Sequence, residues 1–384
     1  MTDNVNNERS STSNLANWAL LIFSCVFAFA IAEIGARILF AGSNLGWHDP
    51  KVLSERIQDC ADKNGNVAIF GDSFVEYFKG SPDNMTQVIE KNTPEFRTCN
   101  FGFSGTGLDD YLVKWEHLAQ KKIVDKAVFV IFAGNDYDDF FLRFKEQNSG
   151  NTPTRTLLPV EGLLHNTSKK TTLFNLLKRS VALNAFWRFG YKKWFPQRSF
   201  AIDDLINDQY YGTKFRVDPQ TLERRMTQIP PDLVAAAKSD HINVHILKRA
   251  VFDPAFFKRL RAGYDAYGPS VLLNVTDRIS KIQDICKKHH IACGFTFIEL
   301  DVFTDIQHHP FYRQLGYELS EKQIGPSEMS LQLQTFMEQN QIPYATTLNA
   351  LQKDTQNFLP RDGHLSVKGH DVLGRLLGEQ LKGL

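Results

Sequence analysis

The sequence predicts an α/β fold: a three-layer α/β/α sandwich on a parallel sheet, with an N-terminal transmembrane helix and a large helical insertion. Three observations predict it. Short apolar runs at 67–70, 96–103 and 127–132 read as strands buried in a sheet. Each run ends in a polar turn containing glycine. Amphipathic helical stretches separate the runs, and parallel strands need such crossovers.

Residues 1–17 are polar, rich in Asn and Ser, and read as a disordered tail. Residues 18–41 are mostly apolar and, at ~1.5 Å per residue in a helix, long enough for a ~30 Å hydrocarbon core. Glu33 and Arg37 interrupt this segment at i,i+4 spacing, where they can pair on one face. The segment is read as a signal anchor. A cleaved signal peptide is the alternative, with small residues at Ala28, Ala30 and Ala32, and a buried core helix is a third. Flanking charge is too sparse to orient it: Arg9 on one side, Lys51 and Arg56 on the other.

Residues 42–384 are assigned to one domain. Val67-Ala68-Ile69-Phe70 forms its first strand, broken by Gly71 and followed by Asp72 and Ser73. The spacing predicts a helix over 85–92, a second strand over 96–103, and a helix over 108–122 with Leu108, Tyr111, Leu112, Trp115 and Leu118 on one stripe. The third strand, 127–132, runs into Gly134-Asn135-Asp136. The rhythm then breaks over about 138–270, read as an insertion above the carboxyl edge of the sheet, with a separate domain as the alternative. It includes a basic, aromatic helix over 172–194. The α/β pattern resumes with a helix over 271–290, a strand over 292–300, a helix over 327–341 and a short strand over 344–348. A closing helix follows over 367–381, with Ser366 as its N-cap.

A net charge of +1 offers no basic field for nucleic acid. Thirty phenylalanines against five tryptophans imply a large core, an apolar groove, or both. Cys60 with Cys99 and Cys286 with Cys293 are possible disulfide pairs, which an oxidising compartment would permit. No Cys-x-x-Cys motif is present to suggest a zinc ribbon or a thioredoxin-type site.

Ser73 at the carboxyl end of a buried strand sits where open α/β sheets bind ligands. Two further strand-end turns offer a glycine and an asparagine, and the 359–366 loop offers Asp362 and His364. Ester cleavage by a nucleophile needs these types. The serine must pass its proton to a base, a carboxylate holds that base in one tautomer, and N–H donors receive the oxyanion.

In these blocks the sequence resembles the SGNH hydrolases, the GDSL-type lipases and esterases. Gly71-Asp72-Ser73 matches the first block, Asn100-Phe101-Gly102-Phe103-Ser104-Gly105 the second, Gly134-Asn135-Asp136 the third and Asp362-Gly363-His364 the last. The resemblance implies Ser73 as nucleophile, His364 as general base and Asp362 as its orienter. It implies an oxyanion hole made by Ser73, Gly105 and Asn135. It covers about 65–145 and 270–384. One departure stands out: the last block is Asp-x-His, where the family usually has Asp-x-x-His. Membrane-anchored members often show the shorter form, and Asp354 is a poorer alternative to Asp362.

The resemblance further implies a sheet of flavodoxin-like order and an acyl-enzyme mechanism with no cofactor and no metal. The substrate would be an acylated small molecule, lipid or glycan, with removal or transfer of acyl or acetyl groups on envelope glycans or lipids as the leading expectation. The chain would be single-pass in a bacterial inner membrane, its catalytic domain on the extracytoplasmic side. The rival expectation keeps the fold as an idle glycan-binding or scaffolding subunit of an envelope assembly. Asp72 and Asp136 read as structural, and His370 as a surface or packing histidine. The His241/His245, His289/His290 and His308/His309 pairs lack the carboxylate or cysteine company of a metal site. Asn84, Asn166 and Asn274 begin Asn-x-Ser/Thr triplets, which carry no weight outside a eukaryotic secretory context.

Overall fold

A computed structural model describes residues 50–147, 156–160, 205, 208, 211–320 and 323–384, with Ser24 and Ala28. The chain divides into two compact units, Met1–Asp49 with Thr167–Gln197, and Pro50–Asn166 with Arg198–Leu384. The fold below is that of the second. The expected anchor at 18–41, save Ser24 and Ala28, and the expected helix at 172–194 lie outside the described residues. Among the described residues no helix is long and apolar enough to cross a membrane.

The second unit is α/β with a five-stranded, wholly parallel sheet in the order β2-β1-β3-β4-β5. The strands are β1 Val67–Gly71, β2 Thr98–Gly102, β3 Lys126–Phe132, β4 Ala292–Ile298 and β5 Tyr344–Thr346. Successive side chains of a strand point to opposite faces, so these apolar runs feed two cores. Ala68, Phe70, Ala127, Phe129 and Ile131 join one with Trp115 and Ile279. Val67, Ile69, Val128 and Val130 join the other with Ile89, Leu373 and Leu377. Part of the phenylalanine load is a row across the sheet. Phe101, Phe70, Phe129 and Phe295, one from each of four neighbouring strands, stack at centroid distances of 5.1, 5.1 and 5.4 Å. Trp115 meets Phe70 and Phe129 edge-on, a geometry that suits ring quadrupoles.

The helices follow the sequence reading with shifted ends: 108–122 and 327–341 are shorter than expected, while the helix expected over 271–290 begins at Gly268 and the one expected over 367–381 runs to Gly383. The stripe at 108–122 is the helix Leu108–Ala119, whose buried residues include all five predicted positions. The strand expected at 96–103 is only Thr98–Gly102, because Phe96 is drawn into a turn on the Thr93 carbonyl. The strand expected at 344–348 ends at Thr346: the Thr347 N–H and hydroxyl both donate to the Phe297 carbonyl, and a short helix, Leu348–Leu351, begins. The helix expected at 327–341 is Glu328–Gln339, capped by Ser327, whose hydroxyl accepts from the Ser330 N–H at 3.2 Å. Ser366 caps the closing helix Val367–Gly383 by accepting from Gly369 N–H at 3.2 Å.

Of the insertion, the described residues form the helices Asp138–Gln147, Tyr211–Phe215, Pro219–Gln228, Pro231–Lys238, Val244–Phe252 and Phe256–Arg261. Leu222, Leu233, Leu247 and Phe252 share one apolar core with Phe129 of the sheet. Arg249 bridges Asp138 at 2.7 Å and Asp253 at 3.1 Å within this layer. Both cysteine pairs are disulfides. Cys60–Cys99 ties the helix Pro50–Asp62 to the edge strand β2, and Cys286–Cys293 ties the end of the helix Gly268–His289 to the start of β4.

His370 fastens the closing helix to the helix Met85–Asn92. It is fully buried, its Nδ1 accepts from the Met85 N–H at 3.4 Å, and Phe78 meets its ring edge-on. Burial, with a smaller push from His364, lowers its pKa to about 4. The folded value lies below the unfolded one, so between about pH 6.5 and pH 4 only the unfolded chain takes up this proton. Stability contributed by neutral His370 is therefore full above that window and falls as pH drops through it, by up to about 3 kcal/mol. Urea melts at pH 7, 5 and 4 are expected to show this loss, and His370→Asn, which keeps an acceptor for Met85, is expected to flatten it. An unchanged slope in the variant would assign the acid sensitivity elsewhere.

Candidate active site

The sheet order reverses at β1: β2 lies on one side of it and β3 on the other. Parallel sheets open a crevice at the carboxyl ends of the strands flanking such a reversal. Ser73 follows β1 there and Asn135 follows β3.

The turn carrying Ser73 is held from several directions. Asp72 caps the short helix Ser73–Glu76, its Oδ1 accepting from the Phe74 N–H at 2.9 Å. The Val75 carbonyl accepts from Asn84 Nδ2 at 3.1 Å and Asn100 Nδ2 at 2.8 Å, and the Tyr77 carbonyl accepts from Asn84 Nδ2 at 2.6 Å. The turn rests directly on β2 at Gly102, where a Cβ would stand 2.6 Å from Glu76 N and 2.7 Å from the Val75 carbonyl carbon. Glycine alone permits that approach. Asn84 is fully buried, which removes it from solvent.

His364 reaches across 291 positions of sequence, its Nε2 lying 2.8 Å from Ser73 Oγ. Its Nδ1 lies 2.7 Å from Asp362 Oδ1. A carboxylate can only accept, so Nδ1 carries the hydrogen and Nε2 is left to accept from the serine hydroxyl. The shortened Asp-x-His spacing works because Gly363 adopts φ +79° between them. That left-handed residue turns the chain so that its two neighbours face each other. The loop is closed by the Leu359 N–H donating to the His364 carbonyl at 2.7 Å and by a bridge between Phe358 and Leu365. The Tyr77 ring stacks on the imidazole at 4.4 Å, and the Phe74 ring lies 5.1 Å from it.

Asp362 also accepts from Asn243 Nδ2 at 3.0 Å. Burial pushes its pKa up, but the His364 hydrogen bond and charge, then Asn243 and Tyr77, outweigh that and hold it below the usual aspartate value. Asp354 is elsewhere: it pairs with Lys368 and caps the Gln356 N–H, with no contact to His364.

On the other side of Ser73, Asn135 Nδ2 donates to Asp72 Oδ2 at 2.7 Å. An amide nitrogen has two hydrogens, so this bond aims the group and leaves one hydrogen for another acceptor. Asp136 accepts from Phe132 N–H at 2.8 Å. Burial, then the neighbouring charge of Asp72, pushes its pKa well above the ordinary value. Burial likewise raises Asp72, against the Phe74 N–H, the His364 charge and the Asn135 amide. Gly105 lies in the turn after β2 at φ +73°. Its neighbour Ser104 donates from both N–H and hydroxyl to Glu76 Oε2 at 2.7 Å each. Burial raises the Glu76 pKa, but these donors and Arg56, 2.7 Å away, hold it below the ordinary value.

The structure thus brings Ser73, His364 and Asp362 into one relay and holds Asn135 beside it through Asp72. Residues that sequence reasoning missed are Asn243, Tyr77 and the tethering asparagines Asn84 and Asn100. Asn243 carries one local signal, an N-cap asparagine before an apolar helical run. Among the described residues no group of three or more His, Cys, Asp or Glu is arranged to hold a metal ion. His241 contacts the Ser239 hydroxyl and His309 the Val302 carbonyl instead. No protein-family model matches the chain, and no curated protein matches it.

Proposed function

We propose that this chain is a serine ester hydrolase of the SGNH type, a three-layer α/β/α sandwich of flavodoxin-like order held to a membrane by residues 18–41. The observation that carries the reading is the unbroken relay from Ser73 Oγ through His364 to Asp362, at 2.8 and 2.7 Å, at the sheet's reversal point.

Ser73 Oγ attacks the ester carbonyl carbon while its proton passes to His364 Nε2. Asp362 stabilises the imidazolium through Nδ1–H. The carbonyl oxygen becomes an oxyanion, received by the Ser73 and Gly105 backbone N–H groups and by the second amide hydrogen of Asn135. As the tetrahedral species collapses, the ester C–O bond breaks and the leaving alkoxide takes the proton from His364. Ser73 is left acylated. A second hydroxyl then gives its proton to His364 and attacks the acyl carbon, and the bond to Ser73 Oγ breaks as that oxygen takes the proton back from His364. Water makes the enzyme a hydrolase; a sugar or lipid hydroxyl makes it an O-acyltransferase.

Acyl or acetyl groups on envelope glycans or lipids are the proposed substrates, in keeping with a membrane tether. Two disulfides in a chain of ordinary size support an oxidising, extracytoplasmic location for the catalytic unit.

Three outcomes are expected. A fluorophosphonate probe labels the full chain, and Ser73→Ala abolishes the label; a folded wild type that does not react favours the idle scaffold instead. Asn135→Ala lowers turnover of a chromogenic acetyl ester by ~10²–10³, and full activity would remove this side chain from the oxyanion site. A periplasm-active reporter fused at Leu384 gives signal, whereas a reporter active only in the cytoplasm would overturn the topology.

A further inference from the structure

The insertion supplies a residue to the relay. Asn243 stands at the start of the helix Val244–Phe252, and its side chain is fully committed. Its Oδ1 caps the helix by accepting from the His245 N–H at 3.0 Å. Its Nδ2 donates to the Asp362 carboxylate at 3.0 Å and to the Asp362 carbonyl at 3.2 Å. Its backbone N–H donates to the Arg361 carbonyl at 3.3 Å. The same helix also packs under the turn: a Cβ on Gly363 would stand 3.5 Å from Ile246 Cδ1 and 3.4 Å from the Tyr312 hydroxyl. The Ile246 carbonyl is itself fixed by the Tyr317 hydroxyl at 2.7 Å.

We propose that Asn243 is a positioning residue for the general base, clamping the Asp362 carboxylate from the insertion so that His364 is held in register with Ser73. The inference rests on the ester-hydrolase reading. Its physical basis is the short Asp-x-His spacing. Only one residue separates carboxylate from imidazole, and that residue is a glycine. The loop's own backbone leaves Asp362 weakly constrained, with Asp362 N–H on the Leu359 carbonyl at 3.4 Å. Three hydrogen bonds from Asn243 to residues 361 and 362 add a constraint from outside the loop, beside the contact that Tyr77 makes with the carboxylate. A misplacement of this kind costs about 10–100-fold in rate even when the reacting groups remain.

Asn243 has two separable tasks, and the choice of variant separates them. Aspartate and serine cap helices as well as asparagine does, yet Asn243→Asp replaces the donor facing Asp362 by an acceptor, and Asn243→Ser is too short to span the gap. The measurement is steady-state hydrolysis of p-nitrophenyl acetate by the full chain, with fluorophosphonate labelling and thermal melts alongside. Asn243→Asp is expected to lower kcat and the labelling rate by about 10–100-fold, with KM and the melting temperature near wild type. Asn243→Ser is expected to lower kcat similarly, so the answer survives if the aspartate variant melts early. A capping role alone predicts wild-type kcat in either folded variant, and that result would overturn the proposal. A wild type that neither hydrolyses the ester nor labels at Ser73 would overturn the ester-hydrolase reading instead.

Discussion

The hydrogen bond between His364 Nδ1 and Asp362 is the constraint on which the rest of the site depends. It fixes which ring nitrogen carries the hydrogen, and so leaves the other, 2.8 Å from Ser73 Oγ, as an acceptor. A neutral imidazole free to rotate or change tautomer would face the serine with a donor part of the time. Much of the carboxyl-terminal architecture serves this bond. Leu373, Leu377 and Leu381 bury the closing helix in one core of the sheet, and Ser366 caps its start. The 359–366 loop is therefore pinned at its far end before any local contact is counted.

The Ser73 side is built on different chemistry. There the backbone carbonyls of the turn, not the Ser73 side chain, are fixed by the amides of buried Asn84 and half-buried Asn100. Leaving a buried carbonyl without a donor costs about 1–3 kcal/mol, so Asn84 and Asn100 are energetically tied to this turn geometry. Asp72 links the two halves: one oxygen caps the helix that presents Ser73, and the other holds the Asn135 amide from the turn after β3. A displacement of either strand end is thereby felt at the other.

The central strands were legible because a strand buried on both faces must be apolar at every position, as 127–131 is. Their ends were less so. Phe96 looks like strand but is captured by a turn, and the half-exposed β5 has too few apolar positions for its end to be read. Ser73, Asp362 and His364 were readable from their turn chemistry and order along the chain. Asn243 was not, since its partner lies 119 positions away and its local signal is that of any helix cap. Tyr77 failed for a different reason: in Phe74-Val75-Glu76-Tyr77-Phe78 an aromatic residue reads as core, and only the folded turn lays it on the imidazole.

Three carboxyl groups crowd the relay, and the fold treats their charges differently. Asp72 and Asp136 are enclosed, and burial raises both. Asp362 is the one held below its ordinary pKa, because His364, Asn243 and Tyr77 offset its burial. Under the proposed mechanism this asymmetry has a consequence for rate. Positive charge develops on the imidazole, and the favoured carboxylate lies behind it, where attraction helps. Negative charge develops on the oxyanion beside Asn135, and the carboxyls next to that amide are those whose ionisation the interior opposes. Asp72 can still polarise the amide it binds, which strengthens the remaining N–H as a donor. A site with the opposite assignment would place its most stable negative charge against the oxyanion and leave the imidazolium uncompensated. The insertion, through Asn243, lies on the side where charge is wanted, which is why a polar clamp can be placed there without opposing the chemistry.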